Sequence, residues 1–207
     1  MRTFKVILIT GGIGAGKSEA ARHIASCGIP VYDSDSRVKM LYDNDIQLVE
    51  NLESALGTSL RDAEGKLDRK ILAGQIFSSS EKLQICESIV HPAVMEDFRQ
   101  WASGQDTNIV CMESAIALSR PLFDGFFDWS IYINADQDVR ISRASARDGA
   151  DRSSVAARIN SQPDFSWKAD YVIENNNGKQ ELHDRIDSIL KEIRFHANKM
   201  QTRCKQQ

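Results

Sequence analysis

Five short apolar runs punctuate the chain: Val6 to Ile9, Ile29 to Tyr32, Asn108 to Met112, Ser130 to Asn134 and Ala169 to Glu174. Each reads as a short strand, and Val6 to Ile9, a β-branched apolar run, reads as one buried in a parallel sheet. Between them apolar positions recur at helical spacing. Residues 19–27 predict a helix closed by Gly28. Residues 36–56 predict one continuous helix with Val38, Leu41, Ile46, Val49 and Leu52 as apolar positions, followed by a polar turn from Gly57 to Gly65. Leu67 to Phe77 predicts another, with Asp68 in its first turn where a carboxylate suits the dipole. A helix from Glu81 to about Ser103 follows, with Ser78 to Ser80 offering its cap and an interruption at His91-Pro92. Further helices are expected over 136–148, 151–161 and 180–199, and then a polar, fraying tail over 201–207. Strands alternating with helices predict an α/β fold around a parallel sheet. The consecutive helices before residue 104 predict a helical insertion.

At 207 residues, with hydrophobic residues at 42% and charged residues at 27%, the chain suits one soluble globular domain with insertions. There is no internal repeat or low-complexity linker. A net charge of −3 argues against a nucleic-acid footprint. No apolar run reaches membrane-spanning or leader length, so a cytoplasmic protein with no membrane or nucleic-acid partner is expected. Cys27, Cys86, Cys111 and Cys204 lack C-x-x-C spacing, so neither a zinc site nor a disulfide framework is indicated, and free thiols acting as small hydrophobes are expected.

The chemistry begins after the first run. Gly11 to Ser18 fit G-x-x-x-x-G-K-S/T, the phosphate-cradling P-loop. Its four fixed positions would arise by accident in roughly one chain of this length in a hundred, and the strand before and helix after reduce that further. Glycines admit positive φ and close approach of an anion, while successive N–H groups and the helix dipole supply positive potential. In this loop Gly12, Ile13, Gly14, Ala15 and Gly16 would cradle phosphate, Lys17 would reach the β- and γ-phosphates, and Ser18 would join the shell of a Mg²⁺. ATP with Mg²⁺ is the expected co-substrate.

Asp33 and Asp35 end the second run, where ligands of open α/β sheets bind. Two readings stand together: a base or metal-associated acid for phosphoryl transfer, and a cap for the helix beginning near Ser36. Glu113, ending the third run, is either a Walker-B-like carboxylate or a packing and capping residue. Arg140, Arg143 and Arg147 recur at spacings of three and four and share one helical face. Arginine forks suit a lid over a transferring phosphoryl, against the alternative of a solvated face pairing with Asp136 and Asp151. Arg152, Arg158 and Gln162 are polar candidates in the next helix. Phe123, Phe126 and Phe127 are expected to bury against the core, with an interface role as the minor reading. His91, alone before a proline, reads as a structural residue.

Taken together, these segments resemble the dephospho-coenzyme A kinase family. The resemblance is carried by residues 10–18 (T-G-G-I-G-A-G-K-S), 28–35 (G-I-P-V-Y-D-S-D), 67–72 (L-D-R-K-I-L), 90–92 (V-H-P), 143–148 (R-A-S-A-R-D), 158–162 (R-I-N-S-Q) and 169–176 (A-D-Y-V-I-E-N-N). It implies transfer of the γ-phosphoryl of ATP to the ribose 3′-hydroxyl of dephospho-coenzyme A. It implies a three-layer P-loop kinase fold with a five-stranded parallel sheet, flanking helices, a helical acceptor-binding insertion and a small lid. The expected division is one domain with core 1–60, 104–135 and 166–200, an acceptor region over about 61–103 and a lid over about 136–165. By position, the resemblance makes Asp35 the acid nearest the acceptor hydroxyl and Asp33 its neighbour. Arg143 would stabilise the transferring phosphoryl, assisted by Arg140 and Arg147. Thr10 and Glu19 would flank the phosphate loop, and Asn175 would lie near adenine. Arg69 and His91 would line the acceptor pocket, which raises His91 above its structural reading. A monomer or weak homo-oligomer is expected.

Two departures stand out. Residues 114–118 (S-A-I-A-L) lack the acid of the family's P-L-L-x-E run, and the basic residues before the fifth strand reduce to Lys168. Another P-loop kinase acting on a nucleoside or nucleoside monophosphate is the nearest alternative. A nucleotide switch would need an N-K-x-D-like guanine reader, and Asn198 to Gln201 lacks the acid.

Overall fold

The structure is a computed structural model that describes residues 4–204, with side chains described through 197. It divides into two compact units. One comprises residues up to 32 together with those from 105 onward, and the other comprises residues 33–104.

The first unit is built on a five-stranded parallel sheet of order β2-β3-β1-β4-β5. Its strands are β1 (Lys5–Gly11), β2 (Val31–Asp33), β3 (Ile109–Glu113), β4 (Trp129–Asn134) and β5 (Tyr171–Glu174). β1 lies in the middle, and its uninterrupted Val6-Ile7-Leu8-Ile9 run explains why. With strands on both sides and both faces covered there is no position for a polar side chain, and all four residues are fully buried. Each fully buried side chain contributes about 1.5–3 kcal/mol of transfer free energy. On one side Lys5 pairs with Ile109; on the other Ile7 pairs with Trp129. Helix α1 (Lys17–Ser26) and helix α8 (Lys179–Cys204) close one face, where Ile24, Leu182, Ile186, Leu190 and Ile193 join Ile7, Ile9, Ile131 and Ile133 in one core.

Helices α6 (Gln137–Asp148) and α7 (Arg152–Asn160) form a satellite core of Ile141, Ala144, Val155 and Ile159, against which Ile13 of the glycine loop packs. Asp151, expected as a pairing partner of the arginines, instead caps α7 by accepting from the Ser153 and Ser154 amides. Between β3 and β4 two short 3-10 turns (Ala117–Ser119 and Pro121–Phe123) bury Phe123. Phe126 and Phe127, half-buried, pack against it and each other.

The second unit is helical throughout: α2 (Ser34–Asn44), α3 (Ile46–Leu56), α4 (Arg69–Phe77) and α5 (Ser80–Ser103). It begins at Asp33. The single helix expected over 36–56 is two helices. Asp45 leaves the helical region at φ −99° and ψ 93°, and its side chain accepts from the Leu48 amide to start α3. Asp68 is the cap of α4 rather than a first-turn residue, accepting from the Lys70 and Ile71 amides. The interruption expected at His91-Pro92 does not occur. α5 runs through Pro92, losing one amide, while Val90, Val94, Met95 and Phe98 remain buried along it. Arg37 of α2 clamps Asp97 of α5 with both prongs of its guanidinium, at 2.8 and 2.5 Å.

α8 continues to Cys204, beyond the expected end near residue 199. The rest of the expected polar tail lies outside the described residues, as does the side chain of Cys204. No helix among the described residues is long and apolar enough to cross a membrane.

Candidate functional site

The glycine loop leaves the carboxyl end of β1 and enters α1 directly. Two of its glycines are required by geometry. Gly14 has φ 75° and packs on the Arg140 backbone carbonyl; Gly16 has φ 110° and abuts the amide of Asn175. A Cβ at either would be strained and would collide. Gly16 also stands at the N-cap of α1 without a side-chain cap, and a helix start of this kind presents backbone amides to an anion.

Three side chains from later in the chain hold the loop. Gln162 accepts the Ile13 amide at 2.8 Å and the Arg140 guanidinium at 3.1 Å. Arg140 Nε donates to the Ile13 carbonyl at 2.9 Å. Buried Asn175 donates to the Ala15 carbonyl at 2.8 Å, while its own carbonyl accepts Arg143 at 2.8 Å. Arg140 and Arg143 therefore reach the loop by different routes, one directly and one through Asn175. Arg147 is engaged elsewhere: it pairs with its neighbour Asp148, which also accepts Arg158, and these cations hold the Asp148 carboxyl down at about 2.

Lys17 Nζ donates to the Gly12 carbonyl at 3.1 Å. Thr10 is buried in the last turn of β1 before the loop. Ser18 Oγ donates to Glu113 Oε1 at 3.0 Å, so the hydroxyl of the loop and the carboxylate ending β3 meet at the carboxyl end of the central strands. Glu19 points away from the loop toward α8. It pairs with Arg22, with His183 at 3.1 Å and with Lys179 at 3.2 Å. The Arg22 hydrogen bond leads these in holding its carboxyl down at about 2.

In the helical unit, Asp33 is the N-cap of α2. Its carboxylate accepts the Asp35 and Ser36 amides, each at 3.1 Å, and the Ser36 hydroxyl at 2.6 Å. Asp35 follows in the first turn, exposed, its carboxylate accepting no hydrogen bond among the described residues. Arg69, first residue of α4, donates to both oxygens of Asp43 at 2.7 Å and to the Lys39 carbonyl at 3.3 Å. His91 is half-buried on α5.

In the sequence Gln162 stands as a polar position ending the R-I-N-S-Q segment, and Glu113 stands between two roles. Neither partnership has a signal in local spacing, since Gln162 lies 149 positions from Ile13 and Glu113 lies 95 from Ser18.

The family described as CoaE, dephospho-CoA kinase, matches residues 5–181. A dephospho-CoA kinase of Porphyromonas gingivalis is 42% identical over 74% of this chain and 75% of its own length. One of Bacteroides fragilis is 36% identical over 95% of each chain. Among solved structures, a Thermus thermophilus protein superimposes with a TM-score of 0.77 at 29% identity, covering 92% of this chain and 98% of that one.

Proposed function

The chain belongs to the dephospho-CoA kinase family, and we infer from this that it moves the γ-phosphoryl of ATP to the ribose 3′-hydroxyl of dephospho-CoA, giving CoA. The observation that carries the phosphate chemistry is the braced glycine loop, whose backbone is fixed by Gln162, Arg140 and Asn175. A rigid ring of amides stabilises developing charge without reorganising during the reaction, where preorganised donors contribute most.

Within this reading Gly12 to Ser18 hold the β- and γ-phosphates, with Lys17 turning from the Gly12 carbonyl to a phosphate oxygen. Ser18 and Glu113 supply hard oxygen donors 3.0 Å apart, a donor set that suits magnesium. A magnesium ion held by Ser18 and Glu113 would supply positive charge that offsets the charge developing on the transferring phosphoryl. Arg143 stabilises the transferring group, and its tie to the Asn175 carbonyl supports a position beside the loop. Arg140 works chiefly through the loop it braces; Arg147, paired with Asp148, is the outermost of the three. Thr10 supports the loop entrance, and Asn175 is assigned to the adenine side of ATP. Helices α6 and α7 serve as the lid.

Asp35 is assigned to the acceptor hydroxyl, which it orients and from which it accepts the proton. The cap by Asp33 supports this, because it fixes the first turn of α2 and leaves the Asp35 carboxylate uncommitted. Arg69 and His91 are assigned to the acceptor, with Asp43 presenting the Arg69 guanidinium. The test is ADP release with ATP and Mg²⁺, comparing dephospho-CoA with AMP, CMP, dTMP and adenosine. Turnover confined to dephospho-CoA, with CoA as product, is expected. Turnover on a monophosphate alone would overturn the acceptor assignment.

A further inference from the structure

Helices α1 and α8 run side by side, and the residues facing across their contact recur every four positions: Glu19 and His23 of α1 with its C-cap Cys27; Lys179, His183 and Asp187 on α8. The upper rung, around Glu19, is a salt-bridge cluster. The lower rung is chemically different. His23 Nε2 lies 2.8 Å from Asp187 Oδ1; Cys27 Sγ lies 3.6 Å from that oxygen and 3.9 Å from the imidazole nitrogen. We propose that His23, Cys27 and Asp187 form a binding site for a divalent cation of the zinc class, joining the end of the phosphate-loop helix to α8.

The donor set selects the ion. One sulfur, one imidazole nitrogen and one carboxylate oxygen suit a borderline-soft cation and not magnesium or calcium, which take oxygen. The spacing also fits. Zinc bonds of about 2.0–2.3 Å at tetrahedral angles place neighbouring donors roughly 3.3–3.6 Å apart. The Cys27–Asp187 separation of 3.6 Å falls in that range, while the His23–Asp187 hydrogen bond at 2.8 Å must open, and the Cys27–His23 separation at 3.9 Å must close, each by a few tenths of an ångström. His23 and Cys27 stand at i and i+4, on one helical face. The His23 ring is held by stacking on His183, with centroids 4.0 Å apart and planes within 4°. Asp187 is 48% exposed and provides a path in, while His23 is largely covered. Three protein ligands leave the fourth position for water.

Binding exchanges protons for the metal: the Cys27 S–H bond breaks, a sulfur–metal bond forms and that proton leaves to solvent, while the proton that His23 Nε2 shares with Asp187 passes to Nδ1 of the neutral ring, freeing Nε2 to ligate. Burial and the neighbouring Asp187 carboxylate push this thiol up, so affinity rises with pH as the proton becomes easier to remove. Asp187 must also be ionised, and His23 holds its carboxyl below the ordinary value. The other titratable and charged groups facing the cluster include His183, Lys191, whose charge acts on Asp187, and Arg194, whose guanidinium donates to the Cys27 carbonyl at 2.8 Å and favours the thiolate. The family's magnesium chemistry is separate from this site.

The test uses the full chain without nucleotide, titrated with Co²⁺ as a spectroscopic stand-in and with Zn²⁺ in competition. A one-to-one thiolate-to-cobalt charge-transfer band that Zn²⁺ abolishes is expected. It should vanish in Cys27→Ser, persist in Cys204→Ser, and weaken about tenfold or more in affinity in Asp187→Asn. Zn²⁺ should also shield Cys27 of the unaltered protein from alkylation, read by peptide mass, which needs no variant to fold. Absence of the band and of protection, or a band unchanged in Cys27→Ser, would overturn the site.

Discussion

The Ser18 hydroxyl donates to Glu113 at 3.0 Å, joining the last residue of the glycine loop to the end of a neighbouring strand. If the pair serves magnesium, Glu113→Gln keeps the shape and removes the charge. The Mg²⁺ concentration for half-maximal rate should then rise by about 10- to 100-fold, the usual cost of disturbing a ligand's partner. Initial rates against Mg²⁺ at fixed ATP read this directly. An unchanged Mg²⁺ requirement would make Glu113 a strut for Ser18.

Asp35 carries a different expectation. Asp35→Asn should lower turnover by about 10²- to 10⁴-fold, the range of a positioned acid or base, with ATP affinity nearly unchanged. Lys17→Ala should damage both. Equilibrium ATP binding alongside single-turnover rates separates the two. Equal loss of binding in Asp35→Asn would give it a metal or structural role.

Gln162→Ala leaves the Ile13 amide and the Arg140 guanidinium without their shared acceptor. An abandoned polar group costs about 1–3 kcal/mol when buried, and these are part-buried, so the lower end is expected. Melting should shift down by a few degrees, and the KM for ATP should rise more than kcat falls. Gln162→Glu restores an acceptor and should recover most of the loss.

Glu19 predicts an acid dependence. Its carboxyl is held at about 2 in the folded chain, against an ordinary 4.5. A depressed acid stabilises the fold fully above its unfolded value, and that contribution is lost as pH falls from about 4.5 toward 2. Glu19→Gln should be less stable near neutrality and show a flatter stability profile across that interval. Denaturant unfolding at several pH values checks it, and an identical slope in both proteins would assign the acid response elsewhere.

The sheet is readable because β1 and β3 are buried on both faces, which forces the unbroken apolar runs Val6 to Ile9 and Ile109 to Met112. The break at Asp45 is not, since both flanking segments have helical apolar spacing and one cap decides the boundary. Pro92 misled in the opposite direction: a lost amide is a local cost, and the buried positions on either side of it outweigh it. Spacing placed Arg140, Arg143 and Arg147 on one face, yet their partners are Ile13, Asn175 and Asp148, set by tertiary pairing rather than by the helix. The choice between cap and acid at Asp33 and Asp35 resolved in part: Asp33 is the cap.

The glycine loop is held by Gln162 and Asn175, which come 149 and 160 positions after the residues they hold. At about 5–20 residues per second, roughly 8–30 seconds of synthesis separate making the loop from making its braces. For the earlier part of that interval, until Ile109 and Trp129 are made, Val6 to Ile9 has neither sheet neighbour. The stretch that reads most plainly in the sequence is therefore completed late in folding, and its apolar strand is the segment a nascent chain most needs shielded.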